Sequence, residues 1–203
     1  MSGTLFIRNR QRTLPVNTRY WRRLLLWLLQ DRLPGTNYDL GIYLVRGPEM
    51  TRLNEAFLGH RGPTDVITFD YSADKSPVLK VTLPDPPPRR LSGSPVVRVE
   101  SRMHGEIFVC LDEAVAQARR YHTSWQSELV RYSVHGILHL SGYGDTGSSD
   151  RREMKREEDR LLRQLGRAFA LAKVAGRRNA PRGSAGGRTG GARLSLERAR
   201  SAG

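Results

Sequence analysis

His135 and His139 are separated by three residues. Two imidazoles at that spacing meet only if the intervening chain is helical, because positions i and i+4 of an α-helix lie one above the other on one face. The stretch from Ser133 to Asp150 therefore has to contain the end of a helix. Gly142 follows three residues after His139, where a glycine lets the chain leave the helix, and Asp145 comes next as an oxygen donor able to turn back. The pattern His-x3-His-x5-Asp is that of a single-ion site with ligands His135, His139 and Asp145.

Three protein ligands leave a fourth position open, which is the catalytic rather than the structural arrangement. Two nitrogens and a carboxylate suit zinc and tolerate manganese, nickel or cobalt. In the zinc-protease helix, His-Glu-x-x-His, the residue after the first histidine is a glutamate that acts as general base. Here it is Gly136, which disfavours peptide hydrolysis by that route. His122 and Asp150 are lesser candidates for the third ligand.

Around this motif the chain alternates short strands and amphipathic helices. Thr4–Ile7 reads as a strand, and Tyr20–Leu33 as a helix that packs Leu24, Leu25, Leu28 and Leu29, with its arginines opposite. Tyr38–Val45 reads as a strand. Pro48 suits the first turn of a helix whose buried stripe is Met50, Leu53, Ala56 and Phe57, ended by Gly59. Val66–Tyr71 and Gly105–Leu111 are strand-like. Asp112 is placed to cap a helix over Glu113–Tyr121, and Ser124 or Thr123 to cap the motif helix. Ser149 or Asp150 can cap a last helix that packs Met154, Leu161, Leu162 and Leu165.

Two segments differ in composition. Residues 72–102 hold Pro84, Pro86, Pro87, Pro88 and Pro95, and read as an inserted surface loop with short strands at Val78–Leu83 and Val96–Val99. Residues 177–203 hold seven arginines against Glu197 alone and are rich in Gly and Ala, the composition of a disordered tail. The tail accounts for +6 of the chain's net +14, so residues 1–176 are basic in their own right at +8. Such a surplus points to a polyanionic partner, with nucleic acid first. The longest apolar stretch, Leu24–Leu29, is far too short to span a membrane. The N-terminus lacks the layout of a signal peptide, and Cys110, the sole cysteine, fits a reducing cytoplasm and a buried apolar role.

HGILHLSGYGD (residues 135–145) resembles the signature of the YbeY family of bacterial endoribonucleases, whose usual form is His-Gly-x-Leu-His-Leu-x-Gly-Tyr-Asp-His. Leu53-Asn54, Phe57 and Pro63-Thr64-Asp65-Val66-Ile67-Thr68-Phe69 resemble that family's Leu-Asn…Pro-Thr-Asp-Val-Leu-Ser-Phe block. Gly105-Glu106-Ile107 and Met154…Glu158 resemble its later strand and closing helix. The resemblance runs from about residue 5 to 170, apart from the proline-rich insertion.

It implies an α+β fold: one zinc-protease-like domain over residues 1–176, with a small mixed β-sheet packed by helices. It implies a metal-dependent hydrolase of single-stranded RNA that holds one zinc ion per chain. The role implied is ribosomal RNA processing, notably at the 3′ end of small-subunit RNA, and ribosome quality control in the cytoplasm. Ribosomal RNA, and the ribosome or its proteins, are the implied partners. Two departures stand out. The family's third histidine aligns with Asp145, which can ligate through oxygen but adds negative charge and weakens the metal as a Lewis acid. The family's arginine after the aromatic of the Leu-Asn block is Leu58 here, and Arg61 is the nearest replacement for gripping phosphate.

His135, His139 and Arg61 are thus the expected catalytic residues, with either water or a neighbouring 2′-hydroxyl as nucleophile. The competing expectation is an RNA- or ribosome-binding factor with a degenerate metal site. Asp65 could orient a ligand histidine or fix the Pro63 turn. His60 is a candidate substrate contact. His104 reads as structural or exposed, Tyr143 as packing over the ligand loop, and Glu157 and Glu158 as solvated helix face.

Overall fold

The computed structural model describes residues 3–33, 37–72 and 102–177. Residues 73–101, which include the two short strands expected within the 72–102 insertion, and residues 178–203 of the arginine-rich tail lie outside the described residues. Among the described residues four strands form where β-branched and aromatic residues alternate: β1 (Gly3–Asn9), β2 (Asn37–Val45), β3 (Val66–Asp70) and β4 (Arg102–Cys110). Five α-helices accompany them among those residues: α1 (Thr18–Trp27), α2 (Gly47–Leu53), α3 (Leu111–Arg120), α4 (Trp125–Leu140) and α5 (Ser148–Ala168). The strands lie in the order β1-β2-β4-β3. The first three are mutually parallel and β3 runs antiparallel to β4, so this is the small mixed sheet of an α+β fold.

Alternation along β2 and β4 sorts the core into two parts. Leu40, Ile42, Leu44, Met103, Ile107 and Val109 join the large cluster, which also takes leucines of α1, Val134, Ile137 and Leu138 of α4, and Leu161 and Leu165 of α5. Val45, Phe108 and Cys110 join a small cluster with Met50 of α2 and Ile67 of β3. Burial pushes the Cys110 thiol up to about 11, which suits an inert packing residue.

Helix α1 begins at an Asn17 cap, whose side chain accepts from the Tyr20 N–H, and continues through a π-helical turn, Leu28–Arg32. Trp21 on it is fully buried. A second π-helical turn, Asn54–Leu58, extends α2. It advances the chain by more than 3.6 residues per turn and rotates the apolar stripe outward. Phe57, expected to be buried, is 63% exposed, and Asn54 is buried in its place, donating to the Gly62 carbonyl at 2.8 Å. Asp112 does not cap its own helix; it accepts the Gly47 N–H at the start of α2 at 2.8 Å. Ser124 caps α4 as expected, accepting from the Ser127 N–H. Among the described residues no helix is long and apolar enough to cross a membrane.

Helix α4 lies close against the sheet at Gly136. A Cβ there would stand 2.7 Å from Ile107 Cγ2 and 3.3 Å from Thr68 Cγ2. The position that carries a glutamate in zinc proteases thus faces the sheet and has no room for one. Gly166 on α5 has open space around it. The same substitution should therefore have opposite signs at the two sites. Gly166→Ala gains helix propensity and should stabilise by about 0.5–1 kcal/mol. Gly136→Ala gains the same but overpacks a buried contact at about 1–3 kcal/mol, for a net loss. Urea unfolding of both variants checks this.

Candidate metal centre and the groove beside it

Both histidines sit on α4, half-buried, one turn apart. Their Nε2 atoms face each other at 3.1 Å. Each ring is fixed from behind. The Nδ1–H of His135 donates to Glu158 Oε2 at 3.0 Å, and the Nδ1–H of His139 donates to the Tyr143 carbonyl at 3.1 Å. A carboxylate and a carbonyl can only accept here, so both rings keep their proton on Nδ1 and turn an Nε2 lone pair inward. Two nitrogens bound at zinc distance in a tetrahedral site stand about 3.3 Å apart, so the rings are set for one ion.

The third donor comes from the turn after the helix. Gly142 takes φ +95°, a left-handed conformation that ends α4. The Tyr143 N–H bonds back to the Leu138 carbonyl, which aims its own carbonyl at His139. Asp145 then brings Oδ2 to 3.8 Å from His139 Nε2. Donor atoms of His135, His139 and Asp145 all lie within 4.8 Å of one another. Their tautomers, spacing and donor chemistry fit a divalent cation of the zinc class. His122 and Asp150 are not part of this cluster. Asp145 is the loosest member: its side chain is 53% exposed, against 26% and 25% for the two histidines.

Glu158 is the residue the sequence reading misplaced. It is buried, not solvated, and accepts from Arg131 Nη1 at 2.7 Å as well as from His135. Burial alone would raise its pKa, but the bonds from His135 and Arg131 overcome that and hold it down at about 2. Its bond to His135 raises the pKa of that imidazole, while burial and the neighbouring His135 lower that of His139. A signal for Glu158 was present: it falls in the 154–158–161–165 stripe of α5, whose other members are core residues.

The remaining candidates are spread out. Asp65 accepts from its own neighbours, the Thr64 hydroxyl and the Val66 N–H, so it fixes the turn before β3. Arg61 is exposed in the loop between Gly59 and Gly62, as is His60. His104 lies edge-on to Tyr71, and Tyr143 packs against the core. Beside the centre is an open groove of about 750 Å3. His135 and Asp145 line it together with Arg151, Arg152, Lys155 and Arg156 of α5; Arg61 is not among its lining residues.

A family model described as Endoribonuclease YbeY matches residues 6–166. A protein named Endoribonuclease YbeY from Chlorobium luteolum is 36% identical over 114 residues, covering 56% of this chain and 64% of that protein. One of the same name from Desulfitobacterium hafniense is 30% identical over 128 residues, covering 63% and 72%. The match thus spans just under two thirds of the length of the Chlorobium relative. A solution structure of the Thermotoga maritima protein TM1509 covers 89% of this chain and 99% of its own at TM-score 0.52 and 21% identity, a likeness of fold.

Two outcomes follow from Glu158. Its folded pKa lies below its unfolded value of 4.5, so its contribution is full above 4.5 and fades as pH falls towards about 2. The stability gap between wild type and Glu158→Gln should be on the order of 3 kcal/mol at neutral pH and should close through that acid window. Urea titrations at several pH values check this; a gap independent of pH would refute it. With the ring no longer anchored by a carboxylate, Glu158→Gln should also weaken zinc binding about 10- to 100-fold in a competitive chelator titration.

Proposed function

The chain belongs to the YbeY endoribonuclease family, and from that membership and the geometry of the centre we propose that it is a metal-dependent endoribonuclease acting on single-stranded RNA. The observation that carries this reading is the pair of inward Nε2 atoms at 3.1 Å, each ring anchored at Nδ1, with Asp145 closing on them. His135, His139 and Asp145 would hold the ion, with zinc the best match to two nitrogens and a carboxylate. Bound there, the ion supplies Lewis acidity towards a phosphoryl oxygen or a water.

The chain's own part is orientation and charge. Glu158 and the Tyr143 carbonyl hold the two imidazoles by Nδ1 and keep each Nε2 aimed at the centre. Arg61, exposed and planar, is proposed as a phosphate contact, reaching the substrate from the loop that Asn54 pins through Gly62. The basic surplus favours a polyanion over a peptide. Gly136, wedged against Ile107, leaves no carboxylate in the position that a zinc protease uses as its base. Family membership supports a cytoplasmic role in ribosomal RNA processing, at the small-subunit 3′ end, and in ribosome quality control with the ribosome as partner.

A second reading, an RNA- or ribosome-binding factor with a degenerate site, is favoured by one observation: Asp145 is more than half exposed on a loop, where the family pattern has a histidine. Metal analysis and cleavage of a single-stranded oligoribonucleotide by wild type, His135→Ala and His139→Ala separate the two. The enzyme reading expects stoichiometric divalent metal in wild type, and metal content and cleavage both falling to background in the variants. Tight RNA binding by wild type without metal or cleavage would favour the binding factor. The product ends identify the nucleophile: a 2′,3′-cyclic phosphate means the neighbouring 2′-hydroxyl, a 5′-phosphate means water.

A further inference from the structure

The first two turns of α5 form one wall of the groove that opens on the metal centre, and four bases stand on it: Arg151, Arg152, Lys155 and Arg156. They make two i, i+4 pairs, Arg151 with Lys155 and Arg152 with Arg156, each spaced about 6 Å along the helix axis.

Their engagements differ. Arg151 donates to the carbonyls of Asp145 and Thr146, at 3.2 and 3.1 Å, and so braces the loop that carries the third ligand. Lys155 is paired with Asp159 at 2.9 Å and Glu158 at 3.4 Å. Arg152 and Arg156 are exposed, and neither makes a hydrogen bond or ion pair among the described residues. Glu157, the acid adjacent to Arg156, is bonded to Arg160. Of the groove's acids, Glu158 is engaged by Arg131 and His135 and Asp159 by Lys155, while Asp145 is the exposed candidate ligand. Two guanidinium groups without a hydrogen bond or ion pair among the described residues, one helical turn apart, therefore line a groove that also takes in His135 and Asp145.

Lys155 and Arg160 are paired with neighbouring acids along this helix, whereas Arg152 and Arg156 are not. Arg163 and Arg167 are likewise unpaired among the described residues, so what sets Arg152 and Arg156 apart is that they line the groove together with His135 and Asp145. Guanidinium groups suit phosphate through two parallel N–H donors and are less strongly hydrated than ammonium groups. Their repeat along a straight helix suits an extended strand that runs past in register.

We propose that Arg152 and Arg156 bind successive backbone phosphates of a single RNA strand that lies along α5 and brings its scissile phosphate to His135, His139 and Asp145. This rests on the RNA reading of the centre and adds to it the strand's path and the residues that hold it. The contacts read backbone and not base, so they set register and affinity without sequence preference.

The test uses the metal-loaded full chain and a fluorescein-labelled single-stranded oligoribonucleotide. Binding is followed by anisotropy over a KCl series for wild type, for Arg152→Gln/Arg156→Gln, and for Arg163→Gln/Arg167→Gln. The last pair makes the same charge change on exposed positions of α5 outside the groove. Each lost phosphate contact removes about 0.7 from the slope of log affinity against log salt for a single strand. The groove double variant should therefore lose about 1.4 in slope and on the order of tenfold in affinity, with metal content unchanged. The control pair should stay close to wild type. Equal losses in both pairs would reduce the effect to net charge and overturn the assignment. So would an unmoved slope in the groove pair, or loss of its metal. Wild type that neither binds nor cleaves single-stranded RNA would overturn the proposed function itself, and this assignment with it.

Discussion

The site hangs on one buried carboxylate. Glu158 is taken out of water, at a cost of several kcal/mol for an isolated ion, and stays ionised because Arg131 and His135 both donate to it. That arrangement links α5 to α4 at the level of the metal centre. It also selects the tautomer of His135, since a ring that gives its Nδ1 proton to a carboxylate has only Nε2 left for an ion. Helix pairing and ligand orientation are thus one interaction. Moving α5 would take the groove wall and the His135 anchor together.

The two histidines were legible in the sequence because helical spacing is local: i and i+4 share a face whatever the rest of the chain does. The turn was legible for a similar reason, since Gly142 at φ +95° is where a glycine is needed. The anchors were not. The Tyr143 carbonyl belongs to the backbone and has no residue signature. Glu158 sits next to Glu157 in a charged run, and only the phase set by Met154, Leu161 and Leu165 tells the two apart. One glutamate falls on the core stripe and becomes structural; its neighbour bonds Arg160 on the outer face.

The missed outer positions have a common cause. A reading at 3.6 residues per turn carries Phe57 into the core, but the π-helical turn at Asn54–Leu58 changes the phase, and Asn54 turns in instead. The result favours the loop over the helix. An apolar residue at position 54 would have nothing to offer the Gly62 carbonyl, and the loop bearing His60 and Arg61 would lose its tie to α2. Asp112 behaves likewise, serving α2 through Gly47 and not its own helix. Such long-range caps cannot be read from local capping patterns, which assume that a polar side chain serves the nearest free N–H.

Charge balance then explains why the basic wall and the acidic ligand belong together. Three carboxylates, Asp145, Glu158 and Asp159, border the groove, and a phosphodiester approaching them would meet like charge; Asp159 is paired with Lys155. Glu158 is neutralised from within by Arg131 and His135. Asp145 is not: its carboxylate is exposed, and Arg151 bonds the loop's carbonyls but leaves the carboxylate to a cation. With a carboxylate in place of a third imidazole, the centre carries one more negative charge for the same ion and attracts phosphate less. Arg152 and Arg156 stand on the same groove. On the proposed reading, a third ligand that weakens the centre's pull on phosphate and a helix that supplies that pull from the groove wall would be two halves of one electrostatic arrangement.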